Sequence, residues 1–346
     1  MNINTLVLSG GGTKGIAFIG VLQYLKEYNL LKNIKTYVGT SIGSFVSTLC
    51  CLKYTLEEIT DLVNKLDFKR IMDISLDTIL DFHKTFGIDS GETFTKFIKI
   101  LIKKKVEKDN ITFLELYKKT SQHLMITGTC LNSCSTEYYD YINTPNMEIY
   151  KAVRISTCFP FYFKSFIHNG KHYTDGGVSN HYPISKFPKD TTLGILIDDS
   201  SYNNKDKIDD LFTFTNCIFQ SSFKNIQTHI LNQFKENTIF IDVDEEHSIN
   251  FSMNLERKEK ILKIGYHSAI DFFKTYDIEN INNKTRDIGV NTDNIETCHI
   301  GVNTQTNLCD ASTSTTDLYN TYIENEIENE INKIIQEDFD INSRSV

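Results

Sequence analysis

The chain has 346 residues, 40% of them hydrophobic, with 23 Phe and 17 Tyr, which is enough apolar side chain to fill a sizeable core. Its formal charge of -9 and pI near 5.5 argue against nucleic acid as the main partner, because neutralising phosphates needs a positive field. Eight cysteines occur without a CxxC pair or a metal-like His/Cys spacing, so reduced thiols and a cytosolic setting are expected.

Met1-Asn2-Ile3-Asn4 has no basic n-region, and the apolar run Leu6 to Leu8 is far shorter than a signal-peptide core. No stretch reaches the roughly 18 to 20 apolar residues of a membrane span, so any membrane contact is expected to be peripheral. In chain order, Thr5 to Leu8 reads as a short strand ended by Ser9 and three glycines. Ile16, Ala17, Ile19, Leu22 and Leu25 then fall near helical spacing. Thr36 to Val38 reads as a second strand, ended by Gly39, and Ile42 to Leu52 as a buried helix. Thr55 with Glu58, and Thr112 with Glu115, are capping-box patterns that mark helix starts. Between them, Ser90 to Lys105 sets Lys96, Lys99 and Lys103 against Ile98, Leu101 and Ile102, an amphipathic helix pattern.

Leu124 to Leu131 and Glu137 to Ile142 read as strands and Met147 to Ser156 as a helix. Ser165 to Ile167 and Lys171 to Thr174 read as a hairpin around Asn169-Gly170. Strands over Thr191 to Ile197 and Thr238 to Val243, with helices over Ile208 to Phe234 and Asn254 to Phe273, complete an alternating α/β order. From about Tyr276 the composition shifts to Asn, Thr, Asp and Glu, and Ile288-Gly-Val-Asn-Thr292 recurs as Ile300-Gly-Val-Asn-Thr304. This predicts a folded domain over residues 1–276 and a low-complexity tail over 277–346, with a short acidic helix around Ile323, Ile327 and Ile331.

Gly39-Thr40-Ser41-Ile42-Gly43 is a G-x-S-x-G, the pattern of a sharp strand-to-helix turn that exposes a serine. A side chain at Gly39 or Gly43 would clash in such a turn, and the helix behind it presents N–H groups and a positive dipole end. Alone the five residues are a weak signal; a strand before and a helix after supply the context the motif demands. Asp175-Gly176-Gly177, straight after a strand, places a carboxylate where it could take a serine proton directly, although a plain Asp-Gly turn would leave the same trace.

Gly10-Gly11-Gly12-Thr13-Lys14-Gly15 is a glycine-rich loop whose backbone N–H groups could face an oxyanion. It also fits G-x-G-x-x-G, but the dinucleotide reading expects an acid at the end of the second strand, which ends instead in Tyr37-Val38-Gly39. The phosphate-binding P-loop fails because Lys14 lacks the spacing and the following Ser or Thr.

The three motifs in this order resemble those of the patatin-like phospholipases. Asp175 to Pro183, D-G-G-V-S-N-H-Y-P, follows the family's D-G-G-x-x-x-N-x-P with Asn180 one position early, and Ser156-Thr157-Cys158-Phe159-Pro160 is similar to its small-residue run ending in proline. The resemblance spans roughly residues 5 to 200. It implies a three-layer α/β/α sandwich with a central, mostly parallel sheet, and a Ser-Asp dyad in place of a triad. Asp175 would take the proton of Ser41, an acyl-enzyme would form, and water would release the fatty acid. Gly10 to Gly12 would hold the oxyanion with Lys14 beside it, and neither metal nor cofactor is implied. The expected substrate is a phospholipid or another acyl lipid, met at a membrane surface or in dispersed form.

Other readings compete. A triad would need a histidine after Asp175; His181, His229, His247, His267 and His299 are available but none lies in a motif, and His168 and His172 flank the Asn-Gly turn. The lysine-rich helix could rest on anionic headgroups, with Lys104 and Lys105 joining its cationic face, though a solvated helix packed on the core gives the same pattern. Phe82, Phe86 and Phe94 could line an acyl pocket or simply fill the core. A binding protein that keeps the fold without catalysis is the alternative to an enzyme.

Overall fold

In a computed structural model the described residues are 3–198, 232–243 and 252–287, with isolated positions between 208 and 221. Strand β1 (Thr5–Leu8) is fully buried and leads through the glycine loop into α1 (Ile16–Glu27). The same unit repeats at once as β2 (Thr36–Thr40) and α2 (Ile42–Cys51). Both capping boxes form: Thr55 opens α3 (Leu56–Lys65), where its side chain and that of Glu58 each bond the other's backbone N–H. A stretch that the sequence pattern leaves unassigned holds two short helices, α4 (Leu76–Leu80) and α5 (Phe82–Thr85), and strand β3 (Gly87–Asp89). Elements this short carry too few residues to show a period.

The amphipathic helix forms as α6 (Glu92–Val106). Its apolar set Ile98, Leu101 and Ile102 is buried in the core, so this face packs on protein and not on lipid. Lys105 from its other side bonds Glu58 at 2.7 Å and Lys99 lies over the Tyr150 ring. Helix α7 (Phe113–Thr120) precedes β4 (His123–Cys130) and β5 (Ser135–Tyr139). The strand expected to run to Ile142 stops at Tyr139 because the Asp140 carboxylate accepts the N–H groups of Ile142 and Asn143 at 2.9 and 2.6 Å and turns the chain. Helix α8 (Ile149–Ser156) begins two residues later than its pattern.

Strand β6 (Phe161–Phe163) pairs with β3 in a separate two-stranded sheet. The hairpin forms as β7 (Phe166–His168) and β8 (Lys171–Asp175), with Asn169 and Gly170 both at positive φ, the backbone a two-residue primed turn requires. A short helix, α9 (Gly177–Asn180), follows, and β9 (Thr192–Asp198) and β10 (Thr238–Asp242) extend the sheet. The helix expected over 208–234 lies largely outside the described residues. Helix α10 (Leu255–Asp287) runs past the compositional shift at Tyr276, and the tail beyond 287 lies outside the described residues.

The main sheet runs β10-β9-β1-β2-β4-β8-β7, with β5 also on β4. Pairings from β10 through β4 along this path are parallel, while those of β4 with β5, β4 with β8 and β7 with β8 are antiparallel. Alternation along β1 divides the core: Leu6 and Leu8 face the cluster that includes α1, α2, α6 and α8, whereas Val7 joins Val38, Met125, Leu196 and Phe234 on the opposite face. The three-layer α/β/α arrangement with a mostly parallel sheet is therefore as the sequence implied. Helices α1 and α10 touch at two glycines, since a Cβ on Gly20 would meet the backbone of Leu262 and one on Gly265 that of Ala17.

The sheet register decides where the site can be. Strand β5 occupies one side of β4 over Ile126–Cys130, so β8, paired with Gly128–Cys130, lies on the other side. That is the side β2 uses over His123–Thr127. β2 and β8 thus lie end to end along β4, and their C-terminal ends, Thr40 and Asp175, meet opposite Thr127 and Gly128.

Candidate active site

Ser41 follows Thr40 with φ 53° and ψ -126° and forms the N-cap of α2. A non-glycine residue held at positive φ stores of order 1–3 kcal/mol, which persists only where the surroundings force it. Here they do. A Cβ on Gly39 would meet the backbone of Gly43 and Ser44, and one on Gly43 would meet the carbonyls of Leu8 and Ser9, so only glycine lets the turn close against β1. Ile42 fixes the loop from the other side, because a Cβ on Gly15 would run into its side chain. Thr40, fully buried, bonds the carbonyl of Asn180 at 3.3 Å.

The Ser41 hydroxyl donates to Asp175 Oδ2 at 2.7 Å, joining residues 134 positions apart. The contact is direct, so no imidazole stands between them. Asp175 Oδ1 accepts the Gly177 N–H at 2.7 Å, and its backbone N–H bonds the Cys158 carbonyl at 2.9 Å. The close approach needs Gly176, where a Cβ would strike the Thr127 carbonyl. Asp175 is 4% exposed, and burial pushes its carboxyl up to about 7, against the smaller downward pull of the Ser41 hydroxyl and the Gly177 N–H. Such a group can hold or release a proton near neutrality.

The glycine loop lies beside this pair: a Cβ built on Gly10 would stand 3.4 Å from Ser41 Cβ. Of the six loop residues expected to face an oxyanion, Gly10 and Lys14 are among those whose N–H groups are engaged. That of Gly10 bonds the His181 carbonyl at 3.3 Å and that of Lys14 the Gly11 carbonyl at 3.2 Å. Lys14 has its side chain fully buried, so the cation beside the oxyanion that the sequence suggested is turned into the protein. Gly12 has φ 56°, a backbone suited to glycine, and opens the short turn Gly12–Gly15 that also holds Thr13. Among the described residues no hydrogen bond uses the N–H of Gly11 or Gly12.

Two residues to which the motifs assign no role sit in the site. Ser156 Oγ accepts the Ser41 N–H at 2.9 Å, so the small-residue run before Pro160 buttresses the nucleophile turn. His181 occupies the position where the family pattern has asparagine. Its ring lies where a Cβ on Gly10 would be 2.7 Å from Cε1 and one on Gly177 would be 3.4 Å from Nδ1. The offset in the D-G-G segment is the signal that could have marked it. Asn180 has a bracing part instead, its amide donating to the Tyr138 hydroxyl at 2.9 Å. His168 and His172 lie in the hairpin as expected, His267 is on α10 away from these contacts, and His229, His247 and His299 fall outside the described residues. Phe94 is in the core, whereas Phe86 is exposed.

No helix among the described residues is long and apolar enough to cross a membrane.

Residues 6–187 match the family model for patatin-like phospholipase. An uncharacterised protein of Acanthamoeba polyphaga mimivirus, R571, is 29% identical over 77% of this chain and 92% of its own length. A probable lipid hydrolase, 463L, of Invertebrate iridescent virus 6 is 32% identical over 52% of this chain and 61% of its own. Triacylglycerol lipase 5 of Saccharomyces cerevisiae is 26% identical over 76% of this chain but only 39% of the yeast protein. Among solved structures, VipD from Legionella pneumophila superposes with a TM-score of 0.56 at 18% identity, over 80% of this chain and 67% of that one, a likeness of fold.

Proposed function

The chain belongs to the patatin-like phospholipase family, and from that premise we propose that it is a lipid acyl hydrolase working through Ser41 and Asp175. The observation that carries the reading is the 2.7 Å hydrogen bond from the Ser41 hydroxyl to a buried carboxylate whose proton affinity is raised toward neutrality. In the first half-reaction Asp175 Oδ2 takes the hydroxyl proton as Ser41 Oγ attacks the ester carbonyl. The N–H groups of Gly11 and Gly12 and the N-terminal end of α2 stabilise the resulting oxyanion. Collapse of the tetrahedral species expels the alcohol, which leaves with the proton held by Asp175. Water then repeats the sequence on the acyl-enzyme: it gives a proton to Asp175, attacks the acyl carbon, and the fatty acid departs as Ser41 recovers its proton.

This chemistry uses side chains and backbone only. The names of the viral and yeast relatives, a lipid hydrolase and a lipase, support acyl lipids as the substrate class. The test is a turnover screen across phospholipids and acylglycerols with Ser41→Ala as control. Release of fatty acid by the wild type and none by the variant is the expected result; equal release by both would overturn the reading.

A further inference from the structure

We propose that α4, the α5–β3 turn and the start of β6 form the face by which the protein settles on an uncharged lipid surface; this rests on the reading of the site as a lipid acyl hydrolase. Leu76, Ile79 and Leu80 lie at i, i+3 and i+4 on α4 and so share one face of that helix. Leu76 is 80% exposed and Leu80 73%, extreme values for leucine in a folded chain. Ile74, Phe86 and Phe161 are exposed as well. All six border one small platform: Gly87, next to Phe86, pairs with Phe161, and Ile74 bridges to Asp89 at the other end of β3. An apolar patch this concentrated marks an interaction surface.

The backbone points the same way. Phe86 and Phe161 both have left-handed φ, 57° and 64°, where glycine or asparagine would sit without strain. Two aromatic rings are thus kept at strained, exposed positions that offer them little burial.

The platform is joined to the dyad. The last residue of α8 supplies Ser156 Oγ to the Ser41 N–H, and the segment after it supplies the Cys158 carbonyl to the Asp175 N–H, then reaches Phe161. Buried Arg154 ties it from beneath, donating to the carbonyls of Ser90 and Gly91 just past β3. The apolar face and the nucleophile therefore share one support, as they must if the ester is drawn from an aggregate on which the face rests.

Charge selects the surface. Two of the ions flanking the patch are paired: Lys84 with Asp81 at 3.1 Å and Arg70 with Asp67 at 3.8 Å. With those cations already paired to carboxylates and a whole-chain charge of -9, the fit is to a zwitterionic or neutral interface.

The test uses the full chain with the exposed pair replaced, Leu76→Asp together with Leu80→Asp. Binding to phosphatidylcholine vesicles is measured by co-sedimentation in a Ser41→Ala background, which separates docking from turnover. Vesicle binding there, and hydrolysis of vesicle lipid by the pair variant with Ser41 intact, are expected to fall about tenfold or more, while that variant's hydrolysis of a soluble short-chain ester stays within about twofold. The proposal is overturned if vesicle binding is unchanged, if both substrates are lost together, if binding requires phosphatidylglycerol, or if the pair alters the sedimentation of the chain alone, which would make the face a contact between copies. A wild type that binds vesicles through this face yet hydrolyses no ester would sink the hydrolase reading and leave the docking face standing.

Discussion

With Ser41 replaced by Ala, turnover of every acyl ester the protein accepts is expected to fall by about 10⁴-fold or more, since the proposed acyl intermediate forms on the Ser41 hydroxyl. The fold should survive, because the Ser41 N–H bond to Ser156 and the glycine contacts that close the turn belong to the backbone. A second variant separates strain from chemistry. Ser41→Gly removes the nucleophile but also relieves a φ of 53°, so it should be equally inactive and about 1 kcal/mol more stable than Ser41→Ala. Thermal unfolding of the two variants side by side checks this; equal stability would mean that the turn is not held against its preference.

Asp175 makes the second large prediction, a dependence on pH with opposite signs for activity and stability. As a base it must be ionised, and with its carboxyl pushed up to about 7 by burial, kcat/KM should rise about tenfold per pH unit below neutrality and level off above it. Stability runs the other way. The unfolded chain loses this proton near 3.8 and the folded chain keeps it until about 7, so the unfolded state binds fewer protons across that window and folding weakens as pH rises through it. Asp175→Asn cannot ionise. Its activity should drop by about 10³-fold or more, while its stability relative to the wild type grows from pH 4 to pH 7 by a few kcal/mol. Tm values of both proteins at pH 4 and pH 8 measure this: equal Tm at pH 4 with the variant higher at pH 8 is expected, and a variant less stable at pH 8 would contradict it.

Much of this was legible in the sequence because local backbone chemistry leaves local traces. The serine turn needs Gly39 and Gly43 for contacts within a few residues of itself and with β1, the capping boxes at Thr55 and Thr112 are complete in four residues each, and Asn169-Gly170 announces its hairpin. The meeting of Ser41 with Asp175 was not legible in this way. It arises because β5 takes one side of β4 and leaves β2 and β8 to lie end to end on the other, a matter of sheet order that no short motif records. The same holds for the oxyanion loop. Its glycines read as equivalent donors, but the Gly10 N–H is drawn to the His181 carbonyl across the site, leaving Gly11 and Gly12 as the proposed pair. The platform of α4, β3 and β6 was missed for another reason: its elements are short, and its apolar residues face outward, so periodicity toward a core is the wrong guide to them.

The central claim is that Ser41 becomes acylated with Asp175 alone as its base, and the most direct measurement is the covalent state of that serine. A fluorophosphonate probe, followed by peptide mass mapping, should place a single adduct on Ser41 in the wild type, none in Ser41→Ala, and adduct formation slowed in Asp175→Asn in step with its loss of turnover. An unlabelled Ser41 in a protein that still hydrolyses lipid, or an adduct whose rate ignores Asp175, would contradict it.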